Sequence, residues 1–474
     1  TNGFVYANKL AAINIQKSAG SDKIALNISL SVTKEVKDAT LRVSVGNSLL
    51  FEDKISISPE MIYQKSVTME RDEPAEVNLV SSAGEKLLTY TERRVDERLE
   101  LTKLPDKRRL LLTPQDLLLE GSRLERYGEV VNAKKMYERA IELDREFMEG
   151  HLSLGKILLQ MGLYDDAEKS FSKVLELDDH NEEAVVYLGV SLRETERFRG
   201  SEEALWKLLN SQKCWPLASY LLGEIGMNER EYRNAEASFR GSLKYNASNI
   251  RALNGLSYCL RKQGKHEEAT EVLDVVLSLD PVDCFALYET YKNRALTKEE
   301  DGARGALNKF RKVIDRTIHN CLETAIEYIR LGALEDAIDI LKVALESENG
   351  HRTLLLYYLA YCHLKQGDIE EAKEYVSSAE KSQFDYCFPN KLEEEKILRE
   401  IIGFDIGGGK AHYCLGNLVF SKHRYDEALL LWKKAVELGV RYSVLHRNIG
   451  LALWKIKGNL GAAAREYRTA LELN

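Results

Sequence analysis

The residues that come closest to a chemical motif form the run 407–410, Gly-Gly-Gly-Lys, which resembles the end of a phosphate-binding loop. Such a loop requires a first glycine where this chain has Phe404. It also requires a magnesium-binding serine or threonine where the chain has Ala411. We therefore interpret the glycine run as a link into the helix that follows and predict no nucleotide site.

Histidine, cysteine and acidic residues form no catalytic or metal-binding pattern. The nine histidines include no HExxH sequence and no pair at metal-ligand spacing with a third partner. The seven cysteines include no CxxC pair and are odd in number, which indicates reduced, mostly buried thiols rather than disulfides or a zinc site. Solvated helix faces explain the many carboxylates. The sequence predicts no enzymatic activity, no cofactor and no metal.

Length and charge limit the classes of partner. The chain has 474 residues, enough for two or three domains, and its 67 Lys and Arg against 75 Asp and Glu give a net charge of −8. No long block of one sign lies at either end, which argues against nucleic-acid and anionic-membrane partners. The longest apolar stretch, 354–362, is shorter than the roughly 17–25 residues of a membrane helix. With reduced cysteines, these features predict a cytoplasmic protein.

Up to about residue 94 the apolar residues alternate with polar ones, as in Ile24, Leu26, Ile28, Leu30 and Val32. This period is typical of half-buried strands. Turn-prone clusters at 18–22 and 81–84 separate the runs, as in a small antiparallel sandwich. We predict an immunoglobulin-like β-sandwich of about seven strands over residues 1–94, followed by a charged linker over 95–112.

From about residue 113 the apolar period becomes helical, and a small residue recurs every 34 residues. This small position is occupied by Gly121, Gly155, Gly189, Gly223, Ser257, Tyr291 and Ala325. An alanine follows twelve residues later, except at Ser201, and a bulky side chain such as Tyr137 or Phe171 follows four residues after that. Ala360, Gly416 and Gly450 continue the register after a slip and an insertion. This pattern resembles tetratricopeptide (TPR) repeats, in which each unit is a pair of helices.

The repeat predicts a right-handed α-solenoid of about ten helix pairs over 113–474. The insertion covers 382–409, and its amphipathic run 390–398 predicts an additional helix. The sixth pair is expected to pack poorly, because bulky Tyr291 occupies a small position and Asp301-Gly302 interrupts the helical pattern.

In a stack of helix pairs, ligands usually lie along the concave wall formed by the first helices. Residues three before, one after and four after each small position should project into that wall. We therefore predict a ligand-binding face formed by Tyr220, Asn254, Tyr258, Arg261, Tyr357, Tyr361, Tyr413, Asn417, Arg447 and Trp454. This composition suits a peptide or a sugar, although packing between repeats explains each aromatic residue equally well.

Several segments carry a resemblance beyond generic repeats. The segments 411–418, 425–435 and 445–452 resemble the C-terminal repeats of a prokaryotic protein family, and 218–225 and 249–254 are similar to its middle repeats. In that family an uncharacterised, sugar-hydrolase-like β region precedes a small β domain and a long TPR array. The resemblance implies that this chain is the C-terminal part of a larger protein with its catalytic region upstream. It carries over no catalytic residue.

These observations together predict a non-enzymatic protein-interaction scaffold that uses the concave face of a TPR superhelix. The expected partner is a protein or peptide segment, another domain of the parent protein, or a second copy of the chain in a homo-oligomer. The alternative is an oligosaccharide-binding accessory region of a carbohydrate-active enzyme.

Overall fold

The computed structural model describes residues 5–19, 24–46, 48–69, 73–92, 113–314, 318–346, 352–382, 388–404, 406 and 408–473. The chain divides into two compact units. One comprises Thr1–Arg109, Leu273–Tyr291 and Asp301–Val313, and the other comprises Leu110–Val272, Lys292–Glu300 and Ile314–Asn474. Within the described ranges, no helix is both long enough and apolar enough to cross a membrane.

The β region consists of two four-stranded antiparallel sheets, with strand orders β1-β2-β3-β6 and β5-β4-β7-β8. The strands are β1 Tyr6–Ala7, β2 Ala11–Ala19, β3 Ile24–Val32, β4 Val36–Val45, β5 Ser48–Ile57, β6 Tyr63–Met69, β7 Ala75–Val80 and β8 Lys86–Thr91. The described part thus contains eight strands rather than about seven, because the two-residue β1 is too short to show an alternating pattern. The immunoglobulin-like character of this region stays a prediction.

Alternation along the strands builds the core of the β region. Leu26, Ile28 and Leu30 of β3 are buried, as are Leu41 and Val43 of β4, with polar residues between them facing outward. The register between β4 and β5 shifts between Val36 and Ala39, where Asp38 has a φ of 51°. An irregularity of this kind is a β-bulge, which strengthens local strand twist.

The described helical region contains ten helix pairs and one additional helix. Their bounds are α1 Pro114–Arg126, α2 Val130–Leu143, α3 Met148–Gln160, α4 Tyr164–Leu177, α5 Glu182–Glu194, α6 Phe198–Trp206, α7 Trp215–Asn228, α8 Tyr232–Leu243, α9 Ile250–Lys262, α10 His266–Leu279, α11 Cys284–Leu296, α12 Glu300–Ile314, α13 Ile318–Arg330, α14 Leu334–Leu345, α15 Arg352–Gln366, α16 Ile369–Lys381, α17 Leu392–Gly403, α18 Gly409–Ser421, α19 Tyr425–Glu437, α20 Ser443–Lys455 and α21 Leu460–Glu472. We number the pairs 1 to 10, from α1/α2 to α20/α21, with α17 standing alone between pairs 8 and 9.

Each first helix is followed, one to three residues after its last residue, by a residue with positive φ. Seven residues after the small position of pairs 1 to 7, this backbone conformation occurs at Gly128, Gly162, Glu196, Arg230, Gly264, Lys298 and Gly332. The left-handed conformation ends a helix by satisfying its last carbonyl groups, and glycine adopts it at least cost. The 34-residue period is therefore also the period of the helix ends, even where glycine is replaced.

The small positions let the two helices of a pair approach closely. A Cβ atom on Gly155 would lie 2.6 Å from the ring of Phe171, and one on Gly416 would lie 2.5 Å from the Trp432 ring. The exception at Ser201 also has a physical reason, because its hydroxyl donates a 2.7 Å hydrogen bond to the carbonyl of Gly189. These contacts confirm the repeat register.

The expected interruption in pair 6 does not occur. Asp301 and Gly302 lie in the first turn of α12, which begins at Glu300. An acidic residue is favoured at this end of a helix by the macrodipole, so Asp301 is compatible with helix initiation. The Tyr288 ring lies 5.1 Å from Phe310 and 5.5 Å from Tyr291, between centroids, so the bulky residue joins an aromatic cluster.

Candidate binding surface

The ten predicted ligand-binding residues fall into three groups by exposure. The buried group is Asn254, Tyr258, Arg261, Tyr357, Tyr361 and Tyr413. Tyr220 and Asn417 are half-buried, whereas Arg447 and Trp454 are exposed. We call the positions three before, one after and four after each small residue the inner stripe. Of these ten residues, the two of pair 10 are the exposed ones, and the ligand-binding role of the set stays a prediction.

The inner stripe of pair 5 packs against pair 7. The Tyr258 hydroxyl donates a 2.9 Å hydrogen bond to Asp336, and its ring lies edge-on to Tyr328 with 5.7 Å between centroids. The Arg261 guanidinium lies 4.9 Å from the centroid of the Tyr258 ring and 3.2 Å from the Asp336 carboxylate. Tyr258 and Arg261 thus make packing contacts between repeats in this conformation.

The Asp336 carboxylate supplies the negative charge at the centre of this cluster. Its buried carboxylate lies 3.2 Å from Arg261, 3.3 Å from Lys262 and 3.1 Å from Lys292. Burial alone would raise the pKa of Asp336, but the charges of Arg261, Lys292 and Lys262 outweigh burial and hold the pKa at about 2. The cluster is therefore a fixed ionic contact between repeats.

Pair 4 shows the same arrangement with a buried glutamate. The Tyr220 hydroxyl donates a 2.5 Å hydrogen bond to Glu224, whose carboxylate also forms an ion pair with Arg193 of pair 3. The Asn228 amide donates to the backbone carbonyls of Glu224 and of Arg330 in pair 7. Since each polar group has a partner within the chain, this part of the stripe is structural in the observed conformation.

The insertion contributes α17, whose first turn is acidic. The Glu394 carboxylate accepts hydrogen bonds from the backbone N–H groups of Asn390 and Lys391, at 2.6 and 2.9 Å, and thereby caps the helix. Glu393 and Glu395 lie on either side of it, where the helix dipole favours negative charge. The acidic first turn therefore favours the formation of α17 by itself, independently of the contacts that α17 makes with other repeats.

Polar side chains of α17 and of its N-cap residue Lys391 contact pairs 7 and 8. The contacts are Lys391–Glu323 at 2.9 Å, Glu393–Arg330, Tyr358–Glu394 at 3.1 Å and Lys365–Glu400 at 2.7 Å. Arg330 and Lys365 belong to the first helices of their pairs. Helix α17 therefore contacts the first helices of both pairs.

The same helix contacts pairs that are distant in sequence. The contacts to pairs 3 and 9 are Lys396–Glu196, Arg424–Glu395 at 2.5 Å and Arg399–Glu427. At pair 2, a Cβ atom on Gly162 would lie 2.8 Å from a methyl group of Leu392, and Arg424 donates to the carbonyl of Met161 at 3.4 Å. Helix α17 therefore connects pairs 2 and 3 to pairs 7, 8 and 9.

The inner stripe of pair 10 is exposed. Arg447, Leu451 and Trp454 follow one another at helical spacing along α20, and 37% of Leu451 and 44% of Trp454 remain exposed. The Lys455 ammonium lies 4.2 Å from the centroid of the Trp454 ring. This face presents one guanidinium, one apolar side chain and one aromatic ring in a row.

A row of hydrogen bonds supports the exposed face. Trp432 Nε1 and Asn448 Nδ2 both donate to the Asn417 side-chain oxygen, at 3.1 and 3.2 Å, and Arg447 donates to the Asn448 oxygen at 3.1 Å. Burial raises the pKa of Tyr413 to about 12, although its hydrogen bond with Asn417 acts in the opposite direction. The amides of pairs 9 and 10 thus fix the position of Arg447.

Gly408, the residue before α18, leaves room for a carboxylate. A Cβ atom on Gly408 would lie 2.4 Å from the carboxyl carbon of Glu380. The Glu380 carboxylate accepts hydrogen bonds from the backbone N–H groups of Lys410 and Ala411, at 3.0 and 3.2 Å, and from the Tyr357 hydroxyl at 2.8 Å. The start of α18 binds an anion of its own chain, which excludes a phosphate from this place in the observed conformation.

Other reactive groups within the described ranges include cysteines and one cluster of acidic residues with a histidine. The described cysteines are free thiols, and burial raises the pKa of Cys259 to about 11 and that of Cys362 to about 12, which makes both unreactive. Asp178, Asp179 and His180 lie near one another in the turn after α4. Asp179 and His180 are exposed and pair with each other, so we assign this turn no role.

Sequence reasoning missed several residues that form these surfaces. Asn448 is adjacent to the predicted stripe rather than on it, and Leu451 is on the stripe's helix face but lacks a polar group. The helical spacing from Arg447 to Trp454 was a usable signal for both. No local signal identifies Asp336 as the partner of Tyr258, because the two residues are 78 positions apart.

Three family models match parts of the chain. Residues 6–90 match the model described as YphG-like protein, second domain. Residues 118–182, 220–283 and 328–386 match tetratricopeptide repeat models. The TPR resemblance is thereby confirmed, whereas the sugar-hydrolase-like region expected upstream stays a prediction. No curated protein matches the sequence.

Solved structures match parts of the chain. A MamA protein is 22% identical, with 35% of this chain and 91% of that chain covered and a TM-score of 0.34. YrrB, a TPR protein with an unusual peptide-binding site, is 20% identical over 36% and 89%, with a TM-score of 0.34. A TPR protein from Parabacteroides merdae ATCC 43184 is 18% identical over 58% and 94%, with a TM-score of 0.38. On its family models and its helix pairs, the helical part of this chain is an array of tetratricopeptide repeats.

Proposed function

We propose that the protein is a non-enzymatic scaffold that binds a protein segment on the inner stripe of pairs 9 and 10. The TPR family models support a role in protein interaction. The observation that carries the location is the contrast in exposure along the stripe. Tyr258 and Tyr357 are buried in contacts with their own chain, whereas Arg447 and Trp454 face solvent.

The chemistry of this surface fits a peptide. Trp454 and Leu451 offer an apolar contact, and Asn448 offers an amide next to them that can bond to a peptide backbone. Tryptophan and arginine are the residue types that contribute most to protein recognition. In this proposal, the buried members of the predicted set support the array rather than contact the partner.

A peptide display selection on the full chain tests the proposal. We expect the wild-type chain to enrich peptides, and we expect these peptides to bind neither the Trp454→Ala variant nor the Arg447→Ala variant. Trp206→Ala and Arg468→Ala are matched controls, because both residues are exposed and lie outside the inner stripe of pairs 9 and 10. Peptides that bind all four variants equally well contradict the assigned surface.

The proposal extends to the setting of the chain. The match of the β region to a YphG-like second domain supports the idea that the chain is part of a larger protein, with a right-handed solenoid C-terminal to an immunoglobulin-like domain. Free, buried thiols support a cytoplasmic location. A glycan array on the same variants tests the alternative that the ligand is an oligosaccharide. If the wild-type chain binds an oligosaccharide and Arg447→Ala abolishes that binding, the ligand of this surface is a sugar rather than a peptide.

A further inference from the structure

The charge of the chain is unevenly distributed. Residues 409–473 contain eleven Lys and Arg against five Asp and Glu, a net charge of +6. The whole chain has a net charge of −8, so the residues outside this range together carry −14. Pairs 9 and 10 therefore form a basic segment in an acidic protein, which the overall charge conceals.

Four of the five carboxylates of this segment already pair with a basic side chain. Glu466 pairs with His446 at 2.7 Å, Glu437 with Lys434 at 3.3 Å, Asp426 with Lys457, and Glu427 with Arg424 and Arg399. By contrast, no carboxylate of the described residues lies within 4 Å of a cationic nitrogen of Arg447 or Lys455. Arg447 and Lys455, which lie on the same helix as the exposed Trp454, thus lack a counter-charge.

We infer that the protein segment bound by pairs 9 and 10 is acidic, with carboxylates opposite Arg447 and Lys455 and an apolar side chain on Leu451 and Trp454. This inference rests on the proposed function and adds the class of partner. The chain contains a precedent for such binding, because Arg424 at the start of α19 binds Glu395 of the acidic helix α17 at 2.5 Å.

The observations favour an acidic protein segment over a nucleic acid. Nucleic-acid binding draws on many cations that follow a phosphate backbone. Here Arg447 and Lys455 lie on one helix together with Trp454, whose ring is 4.2 Å from the Lys455 ammonium, and the excess negative charge of the remaining chain repels a long polyanion. A short segment with a few carboxylates next to an apolar residue satisfies this face without extending over the acidic part.

Two measurements test the inference: the amino-acid composition of the selected peptides, and the change in peptide affinity when the charge at position 447 is reversed. We expect the wild-type chain to enrich peptides rich in Asp and Glu, and Arg447→Glu to weaken a selected acidic peptide on the order of tenfold in fluorescence anisotropy. Arg468→Glu makes the same change of net charge off the stripe and should leave the affinity unchanged. Enrichment of neutral or basic peptides that still require Trp454 overturns this inference while leaving the proposed function standing.

Two further outcomes separate the failures. If no selected peptide depends on Trp454 or Arg447, the proposed function itself fails. If Arg447→Glu and Arg468→Glu weaken the acidic peptide equally, the attraction is that of net charge and the inference is wrong. A labelled 20-nucleotide single-stranded DNA probe that binds more tightly than every selected peptide, and that Arg447→Glu releases, overturns the choice of a protein partner.

Discussion

At the scale of single residues, the fold depends on glycines that stand where a neighbouring ring needs space. Gly155→Ala places a Cβ atom 2.6 Å from Phe171, so we expect the free energy of unfolding to fall by about 1–3 kcal/mol. Gly305→Ala is the matched control, because Gly305 is exposed within α12 and no atom lies within 4 Å of its Cβ position. This control should gain about 0.5–1 kcal/mol. Urea unfolding of both variants measures the difference, and equal effects contradict the packing argument.

The ionic cluster around Asp336 predicts a dependence on pH. The pKa of Asp336 in the folded chain, about 2, lies below its ordinary value of 3.8, so the folded state binds the proton less well than the unfolded state. The stabilising contribution, about 2 kcal/mol, is fully present above about pH 4 and is lost as the pH falls towards 2.

The substitution Asp336→Asn reveals this contribution. We expect it to destabilise the protein by about 3–5 kcal/mol at pH 7, because buried Arg261 loses its carboxylate. The difference from wild type should shrink between pH 4 and pH 2.5 in denaturant unfolding curves. Asp339→Asn, which removes a half-exposed partner of Lys292, is the control and should show a small effect at pH 7. A constant difference for Asp336→Asn down to pH 2.5 is incompatible with the assigned pKa.

At the scale of elements, α17 is the feature that the repeat pattern does not contain. Its Glu393 forms an ion pair with Arg330 of α13, and both side chains are mostly buried. We expect Glu393→Arg and Arg330→Glu each to destabilise the chain by about 1–3 kcal/mol and the double variant to recover most of that loss. Thermal unfolding of the three variants gives the coupling energy.

An exposed ion pair serves as the control for this cycle. Asp166 and Lys169 lie 2.8 Å apart on α4 with most of their side chains in solvent, so the corresponding exchange should show no measurable coupling. If the Glu393 and Arg330 cycle also lacks coupling, α17 is not held by its ion pairs.

The sequence predicted the elements better than their long-range contacts. The register from Gly121 to Gly450 is local, since each glycine at a small position meets a bulky residue about half a repeat later, and periodicity reports such contacts directly. The partners of Tyr258 and Glu393 depend on how successive pairs turn relative to one another, and small rotations per repeat accumulate along a stack. Because these rotations bring distant repeats together, inner positions that the sequence predicts to be a binding face are buried in contacts between repeats.

At the scale of the whole molecule, contacts through α17 add to the nearest-neighbour coupling that usually stabilises repeat arrays. The combined variant Glu393→Gln, Glu395→Gln and Glu400→Gln removes the charges that bind Arg330, Arg424 and Lys365. We expect hydrogen exchange in the turn 161–163 to become faster on the order of tenfold, with no change in α1.

A matched variant separates this effect from the loss of charge alone. The triple change of Glu370, Glu371 and Glu374 to Gln removes three exposed carboxylates from α16 and should leave the exchange at 161–163 as in wild type. Unchanged exchange in both variants would show that α17 does not connect the distant pairs.

Photo-crosslinking of a selected acidic peptide tests the central claim most directly, because it reports which part of the stripe the ligand contacts. A p-benzoylphenylalanine probe replaces Leu451 on the exposed stripe of α20 in one variant and Lys262, next to the buried stripe of α9, in another. The account predicts that the peptide crosslinks to the probe at 451 and not to the probe at 262. Crosslinking at 262 and not at 451 would contradict it, because the ligand would then reach the part of the array that α13 and α14 bury.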